Sequence, residues 1–189
     1  IEPDSLTVII TNEVEVDLDF GEEHQVQAAV NIPEEELANI QWTGGVDSTM
    51  SCIDCLRPLI RPLRTADYFL EVVSENGCRD KARLRIYVNR EKPIYVPNVF
   101  SPNGDGSNDR FYIFSREGVV EEIQSFQVFN RWGETVFEVY GSQPNDPLSG
   151  WDGSFRGELM NGAVFTWYAE IEFIDGTVEL FKGDVTLLR

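Results

Sequence analysis

The sequence predicts an all-β protein built as two tandem immunoglobulin-like β-sandwich domains. Apolar and polar residues alternate with a period of two along most of the chain, and turn residues separate these short segments. No segment keeps a helical period for more than a turn or two. A charged stretch followed by two prolines, NREKPIYVPNVF, indicates a boundary and divides the 189 residues into domains 1–92 and 93–189.

Six segments of the first half alternate as strands do: Thr7–Thr11, Val14–Leu18, His24–Val30, Ala38–Thr43, Tyr68–Val73 and Lys81–Asn89. In the last of these, apolar residues alternate with lysine, arginine and tyrosine, which predicts one buried and one basic face. The acidic run PEEEL at 33–37 fits a single helical turn with its acids at the N-terminus.

Trp42 lies in a predicted strand, and Tyr68 follows Asp67 just before the next one. Both positions are typical of the core tryptophan and the tyrosine corner of immunoglobulin-like sandwiches. With NIQWTGG, SCIDC and TADYFLEVVSENGC in order, the first half resembles the immunoglobulin-like or polycystic-kidney-type repeats that act as spacers in large surface adhesins.

The second half supplies seven further strands: Ile94–Phe100, Phe111–Ser115, Ile123–Asn130, Thr135–Tyr140, Ala163–Ile174, Thr177–Phe181 and Val185–Leu188. The sequence Asn-Arg-Trp-Gly at 130–133 predicts a hairpin loop, and Asp175-Gly176 predicts a two-residue turn. In the longest strand, Phe165, Trp167, Ala169, Ile171 and Phe173 share one apolar face.

The charge of the chain excludes one class of partner. The net charge is −18, and each half carries −9. A nucleic-acid-binding protein needs a basic surface, and neither half offers one. No apolar run approaches the roughly 18 residues that cross a bilayer. The chain begins at Ile1 without a charged-then-apolar leader, so we expect it to be the tail of a longer protein with its targeting segment upstream.

Three cysteines, Cys52, Cys55 and Cys78, all lie in the first half. They predict one structural disulfide in an exported protein, with Cys52–Cys55 slightly favoured over a bridge to Cys78 and one thiol left over. A zinc site would lack a fourth ligand, because His24 is the only histidine and is distant in sequence.

The segment VPNVFSPNGDGSNDRF contains the strongest local motif. Aligned with a calcium-binding loop, Asn103 and Asp105 occupy the third and fifth positions, the Ser107 carbonyl the seventh, and Asp109 the ninth. The twelfth position is Tyr112 instead of a bidentate glutamate, so a calcium site here would be weak. A metal-free turn held by side-chain-to-backbone hydrogen bonds is the preferred alternative. We expect no other cofactor.

Four motifs in order give the second half a family resemblance: VPNVFSPNGDGSNDRF, FQVFNRWGETVFE, GWDGSFRGELMNGAVFTWYAEI and FKGDVTLLR. Residues 93–189 resemble the type B sorting domain of the type IX secretion system, also called the gliding-motility-associated C-terminal domain. Ser107 stands where a larger apolar residue is more usual, and AVFTWY replaces a Gly-Val-Tyr-Tyr-like stretch.

The resemblance implies a passenger that is exported through the periplasm to the cell surface or the medium, in many relatives as a gliding adhesin. Its partners would be the type IX translocon and an outer-membrane partner protein, with no small-molecule substrate. The last strand offers an edge and a cationic end for this recognition. The residues concerned are Gly183, Asp184, Val185, Thr186, Leu187, Leu188 and Arg189.

Two other function classes compete with this interpretation. Nucleophilic catalysis normally needs a histidine base, and His24 lies on a strand where a surface histidine is commoner. Asp146 and Asp152, close to Trp151, are the most suggestive pair of carboxylates for glycoside cleavage, but both lie in predicted loops. We therefore expect no enzyme. A glycan-binding or adhesive module is the alternative, with Trp132 and Trp151 stacking on sugar rings if both are exposed.

Overall fold

The structure is a computed structural model that describes residues 5–45 and 49–189. It confirms the prediction of an all-β fold with immunoglobulin-like sandwiches, because the described residues form strands and two short 3-10 turns. The chain divides into two compact units, the first ending at Glu91 and the second running from Lys92 to Arg189. No helix among the described residues has the length and the apolar composition that would let it span a bilayer.

The described residues of the first unit form nine strands and a 3-10 turn at Glu34–Glu36. The strands are β1 (Val8–Ile10), β2 (Glu15–Asp19), β3 (His24–Gln25), β4 (Ala28–Val30), β5 (Leu37–Gly44), β6 (Thr49–Met50), β7 (Leu59–Arg61), β8 (Ala66–Ser74) and β9 (Arg79–Asn89). A four-stranded sheet has the order β2-β9-β8-β5, a three-stranded sheet the order β3-β7-β6, and β1 pairs with β4.

The core of the first unit follows from the period of two. Alternate residues of β8 and β9 are buried, among them Tyr68, Leu70, Leu84 and Ile86. Trp42 of β5 is buried with them, and its indole N–H donates to the Cys55 carbonyl at 2.8 Å. Both aromatic residues therefore belong to the core, as the sequence predicts.

The second unit also contains nine strands, with a 3-10 turn at Pro147–Ser149. The strands are β10 (Ile94–Tyr95), β11 (Val99–Phe100), β12 (Phe114–Ser115), β13 (Val120–Phe129), β14 (Thr135–Ser142), β15 (Ser154–Phe155), β16 (Glu158–Leu159), β17 (Ala163–Phe173) and β18 (Val178–Leu187). A five-stranded sheet has the order β11-β18-β17-β13-β14, and β10–β12 and β15–β16 form two small ribbons.

Aromatic rings fill the core of the second unit. Phe111 packs against Phe100 and Phe126 with centroid distances of 5.8 and 5.4 Å, and Trp151 lies 4.8 Å from Phe165. The apolar face predicted for the longest strand is buried in full, since Phe165, Trp167, Ala169, Ile171 and Phe173 all face this core. Large rings contribute most of the buried apolar area of a small sandwich.

Two predicted strand boundaries in the second unit are wrong. Thr177–Phe181 and Val185–Leu188 are parts of one strand, β18, because Gly183 pairs with Trp167 and leaves room for its indole; a Cβ there would lie 3.1–3.2 Å from the ring. Ile94–Phe100 is instead divided into β10 and β11. Pro97 lies between them and lacks the N–H that a continuous ladder requires.

Candidate functional site

The last strand, β18, lies inside the five-stranded sheet. It pairs antiparallel with β17 along ten residues, and its end pairs in parallel with β11, with Val99 opposite Thr186 and Phe100 opposite Leu187. The expectation that Gly183–Arg189 forms a sheet edge is therefore wrong at Thr186 and Leu187, the two residues that β11 covers. A parallel pairing between segments more than 80 residues apart leaves no local pattern in the sequence.

The side chain of Arg189 is hydrogen-bonded to three backbone carbonyls of the second unit. Its Nε donates to the Met160 carbonyl at 2.9 Å, and its two terminal nitrogens donate to the carbonyls of Gly153, at 3.1 Å, and Pro102, at 3.5 Å. The guanidinium thus joins three loops, while Arg189 stays exposed to solvent; recognition of this cationic end stays a prediction. Sequence spacing gives no signal for carbonyl acceptors.

The remaining residues of this stretch divide into a buried and an accessible set. Val185 and Leu187 are completely buried in the core, while Gly183 and Thr186 are half-buried. Asp184 and Leu188 are exposed to solvent. Only these two side chains of the seven are both accessible and unengaged by the hydrogen bonds described for this unit.

The Asn103–Asp109 loop is held by its own carboxylates. Asp109 accepts backbone N–H bonds from Asn103, Gly104 and Gly106 at 2.7–3.0 Å. Asp105 accepts the Ser107 N–H at 2.8 Å and the Asn103 amide at 2.8 Å, and Asn103 in turn accepts the Asp105 N–H. These bonds, the one from Gly104 foremost, hold the pKa of Asp109 below its usual range.

The predicted calcium ligands Asn103, Asp105, Ser107 and Asp109 are therefore neighbours, and the side-chain oxygens of Asn103, Asp105 and Asp109 are already used as acceptors. In the part of the chain that the structure describes, no group of three or more His, Cys, Asp or Glu side chains could hold a metal ion. Asp105 and Asp109 supply only two carboxylates, and the Ser107 carbonyl and the Asn103 amide would complete a weak site. Calcium binding here stays a prediction.

Cys52 and Cys55 are joined by a disulfide, and Cys78 is a free, half-buried thiol. The disulfide closes a loop that is hydrogen-bonded to Trp42. The Trp42 backbone N–H donates to the Ile53 carbonyl at 2.8 Å, and the indole N–H donates to the Cys55 carbonyl. The bond therefore fixes a loop that covers the core tryptophan. This position indicates a structural role.

The two tryptophans considered for sugar stacking have opposite environments. Trp132, at the tip of the β13–β14 hairpin, is 77% exposed, whereas Trp151 is 1% exposed and donates its indole N–H to the Ser154 carbonyl. A pair of exposed rings is therefore absent at these two positions. The hypothesis that both stack on one sugar is wrong.

The two carboxylates considered for glycoside cleavage both hold turns. Asp146 caps the 3-10 turn through Leu148 and the Ser149 hydroxyl, and Asp152 accepts the N–H and hydroxyl of Ser154. The serine hydroxyl bonds, the largest cause in each case, lower the pKa of both groups. A catalytic acid in such an enzyme needs a raised pKa, so this pair is unsuited to that chemistry.

Lys92 is a further engaged residue that the sequence analysis missed. Its ammonium bonds Glu179 at 2.6 Å and the Thr177 hydroxyl, and it lies 4.0 Å from the centroid of the Phe173 ring. These partners are 81 or more residues away along the chain, so no local signal could have identified them. The contacts tie the beginning of the second unit to the start of β18.

A protein-family model described as CHU_C Type IX secretion signal domain matches residues 94–187. The matched range begins at β10 and ends with the last residue of β18. It therefore includes every strand of the second unit. None of the curated proteins matches the chain.

Several solved structures match the chain at low sequence identity and low TM-score. The chain is 13% identical to fibronectin(III)-like modules of Clostridium thermocellum CbhA, covering 96% of this chain and 93% of that one, with a TM-score of 0.35. Dimeric latent PorU from Porphyromonas gingivalis is 11% identical, with 98% of this chain and 20% of that chain covered and a TM-score of 0.34. Scores this low carry no argument about function.

Proposed function

Because residues 94–187 belong to the CHU_C type IX secretion signal domain family, we propose that the second unit is the signal by which a larger surface protein is exported across the outer membrane. The family match over every strand of this unit carries the proposal. In this role the protein passes through the periplasm and reaches the cell surface or the medium. The first unit acts as a spacer of an adhesin used in gliding, and neither unit is a catalyst.

The partners in this proposal are the type IX translocon and an outer-membrane partner protein. Recognition of Gly183–Arg189 depends on the folded unit, because Val185 and Leu187 are buried and cannot be read by another protein directly. Asp184, Leu188 and Arg189 are the exposed side chains of that stretch, and Arg189 is hydrogen-bonded within the unit. If the signal is the folded unit, substitutions of buried residues should reduce export as much as substitutions of exposed residues. If the signal is linear, only substitutions of the contacted residues should reduce export.

The export test uses a fluorescent protein that carries a signal peptide and is fused to residues 92–189. In type IX-competent cells the cargo should reach the medium or the surface, and deletion of Gly183–Arg189 should leave it in the periplasm. Val185→Asp should also block export by placing a charge in the core, while Leu188→Asp leaves the fold intact and reports on direct contact alone.

A strain without the type IX translocon is the decisive control. Cargo that still leaves such a strain would contradict the proposed export route. Normal export of Val185→Asp, together with loss of export for Leu188→Asp, would instead indicate a linear signal. Cell fractionation and fluorescence measure both results.

A further inference from the structure

The outer face of the five-stranded sheet carries large exposed apolar side chains among its polar ones. Alternate residues of β13, β14, β17 and β18 point away from the core, and several of them are large and apolar. Tyr140 and Val164 are each 58% exposed and Leu180 is 60% exposed, while Phe129 and Tyr168 are half-buried. Contiguous exposed apolar area of this kind marks interaction surfaces in soluble domains.

The aromatic part of this face is fixed in place. The rings of Phe129 and Tyr168 stack with centroids 5.6 Å apart and planes 20° apart. Gln127 lies between two tyrosines: it accepts the Tyr168 hydroxyl at 2.8 Å, and its amide donates to the Tyr140 hydroxyl. A rigid aromatic surface binds at a low cost in conformational entropy.

Two grooves lie along one part of the face, from its middle to the end near the β13–β14 hairpin tip. One of about 480 Å³ is lined by Phe129, Thr166, Tyr168, Lys182, Gly183 and Asp184. The other, of about 190 Å³, includes Val164 and the exposed Trp132 of the hairpin tip. Val164 and Thr166 are successive outward residues of β17, so the two grooves adjoin. Tryptophan and tyrosine are the residues that most often dominate the energy of protein interfaces.

The charged side chains on this face are predominantly acidic. Glu138, Glu170, Glu172 and Asp184 lie around the apolar residues, and Lys182 is the one cation beside them. None of these carboxylates takes part in an ion pair described for the chain. Glu170 and Glu172 accept only from the neutral groups of Ser125 and Gln124.

The first unit provides an internal comparison, because its four-stranded sheet also turns one face to water. There Glu71 pairs with Arg79 and Lys81, and Asp67 pairs with Arg83 and Arg85. The charges on that face are neutralised across the strands. The two sheets belong to one acidic chain, so overall acidity does not account for the unpaired carboxylates of the second.

From this face, and on the premise of the proposed function, we infer that the outer side of β13, β14, β17 and β18 is the surface that docks on the outer-membrane partner protein. The partner presents apolar side chains surrounded by lysine or arginine. Such a surface fills the grooves and neutralises the four carboxylates. The anionic phosphates of a lipid surface are repelled by the same carboxylates, which excludes direct membrane docking by this face.

The binding test uses the purified full chain and outer-membrane vesicles from type IX-competent cells. Leu180→Asp should weaken binding about tenfold or more, because it puts a further negative charge in place of an exposed apolar side chain of the interface. The triple variant Glu138→Gln, Glu170→Gln, Asp184→Asn should weaken binding and reduce its dependence on salt. The matched controls Leu148→Asp and Glu158→Gln change exposed residues off this face and should bind within about twofold of the original chain.

Thermal melts of each variant separate lost binding from lost folding, since all the substituted side chains are at the surface. Binding of Leu180→Asp equal to that of Leu148→Asp would overturn the inference, while export of the original chain would leave the proposed function standing. Equal binding of the original chain to protein-free vesicles of the same lipids would overturn the inference, because no partner protein is then needed. If soluble polysaccharide abolishes the binding to vesicles, the face binds a glycan and not a protein. That result would overturn the inference.

Discussion

At the scale of single residues, Asp109 determines the shape of the Asn103–Asp109 loop, which lies within the motif VPNVFSPNGDGSNDRF. One carboxylate accepts three backbone N–H groups, and Gly104 and Gly106 adopt positive φ angles of 79° and 86° so that their N–H groups can reach it. The loop is therefore defined by an ionised side chain. Its stability should depend on pH.

Asp109→Asn should lower the melting temperature by several degrees at pH 7, because the amide accepts more weakly than the carboxylate. The folded-state pKa of Asp109 lies below the usual aspartate value of about 3.9. Its stabilisation is therefore present above that value and is lost as the pH falls below it, through the folded-state pKa. Melts from pH 7 to pH 2 should show the difference between variant and original chain shrinking below about pH 4. A constant difference across this range would contradict the role of the charge.

Calcium binding by the same loop can be measured in the same melts. If Asp105 and Asp109 hold the ion, millimolar calcium raises the melting temperature of the original chain and magnesium raises it less. Asp109→Asn is the matched control, since it removes one of the two carboxylates. Equal melting temperatures with and without calcium would leave the hydrogen-bonded turn as the loop's only support.

At the scale of elements, β18 joins distant parts of the second unit. It contacts β17 and β11 through its backbone, and Lys92 and Arg189 tie its two ends to other segments. The existence of this strand and the buried side of Val185 and Leu187 follow from the period of two in the sequence. Its pairing with β11 and the acceptors of Arg189 depend on contacts between segments 29–87 residues apart, which local pattern cannot reveal.

Arg189→Ala should loosen the β15–β16 ribbon, because the guanidinium bonds the carbonyls of Gly153 and Met160 on either side of it. We expect a loss of about 1 kcal/mol in the free energy of unfolding and faster amide exchange at Met160, whose N–H donates to Gly153. Arg156→Ala is the matched control. Its single ion pair with Glu134 is largely exposed and should contribute less than about 0.5 kcal/mol. Equal effects of the two substitutions would contradict the bridging role of Arg189.

At the scale of the whole molecule, composition and patterning were enough to predict the fold class and the core aromatics Trp42 and Tyr68, whereas the family of the second half was identified only by the resemblance of four motifs in order. Alternation reports which side of a strand is buried, and it does so wherever one face meets a core. Ribbons of two residues, such as β15 and β16, are too short to show a period. The sequence alone does not reveal the outer face of the five-stranded sheet, because its residues come from four separate strands.

The division of the chain after Glu91 suggests that the second unit folds alone, with Lys92 as its first stabilising residue. A fragment of residues 92–189 should unfold in urea in a single cooperative transition. Lys92 is 8% exposed at its side chain, pairs with Glu179 and lies over Phe173. Lys92→Ala in this fragment should therefore lower the free energy of unfolding by about 1–2 kcal/mol. The control is Lys182→Ala, because Lys182 is exposed and has no ion pair described for the chain. This substitution should change the free energy of unfolding by less than about 0.5 kcal/mol. A gradual, non-cooperative transition would show that the unit needs the first half to fold, and equal effects of the two substitutions would show that Lys92 does not stabilise it.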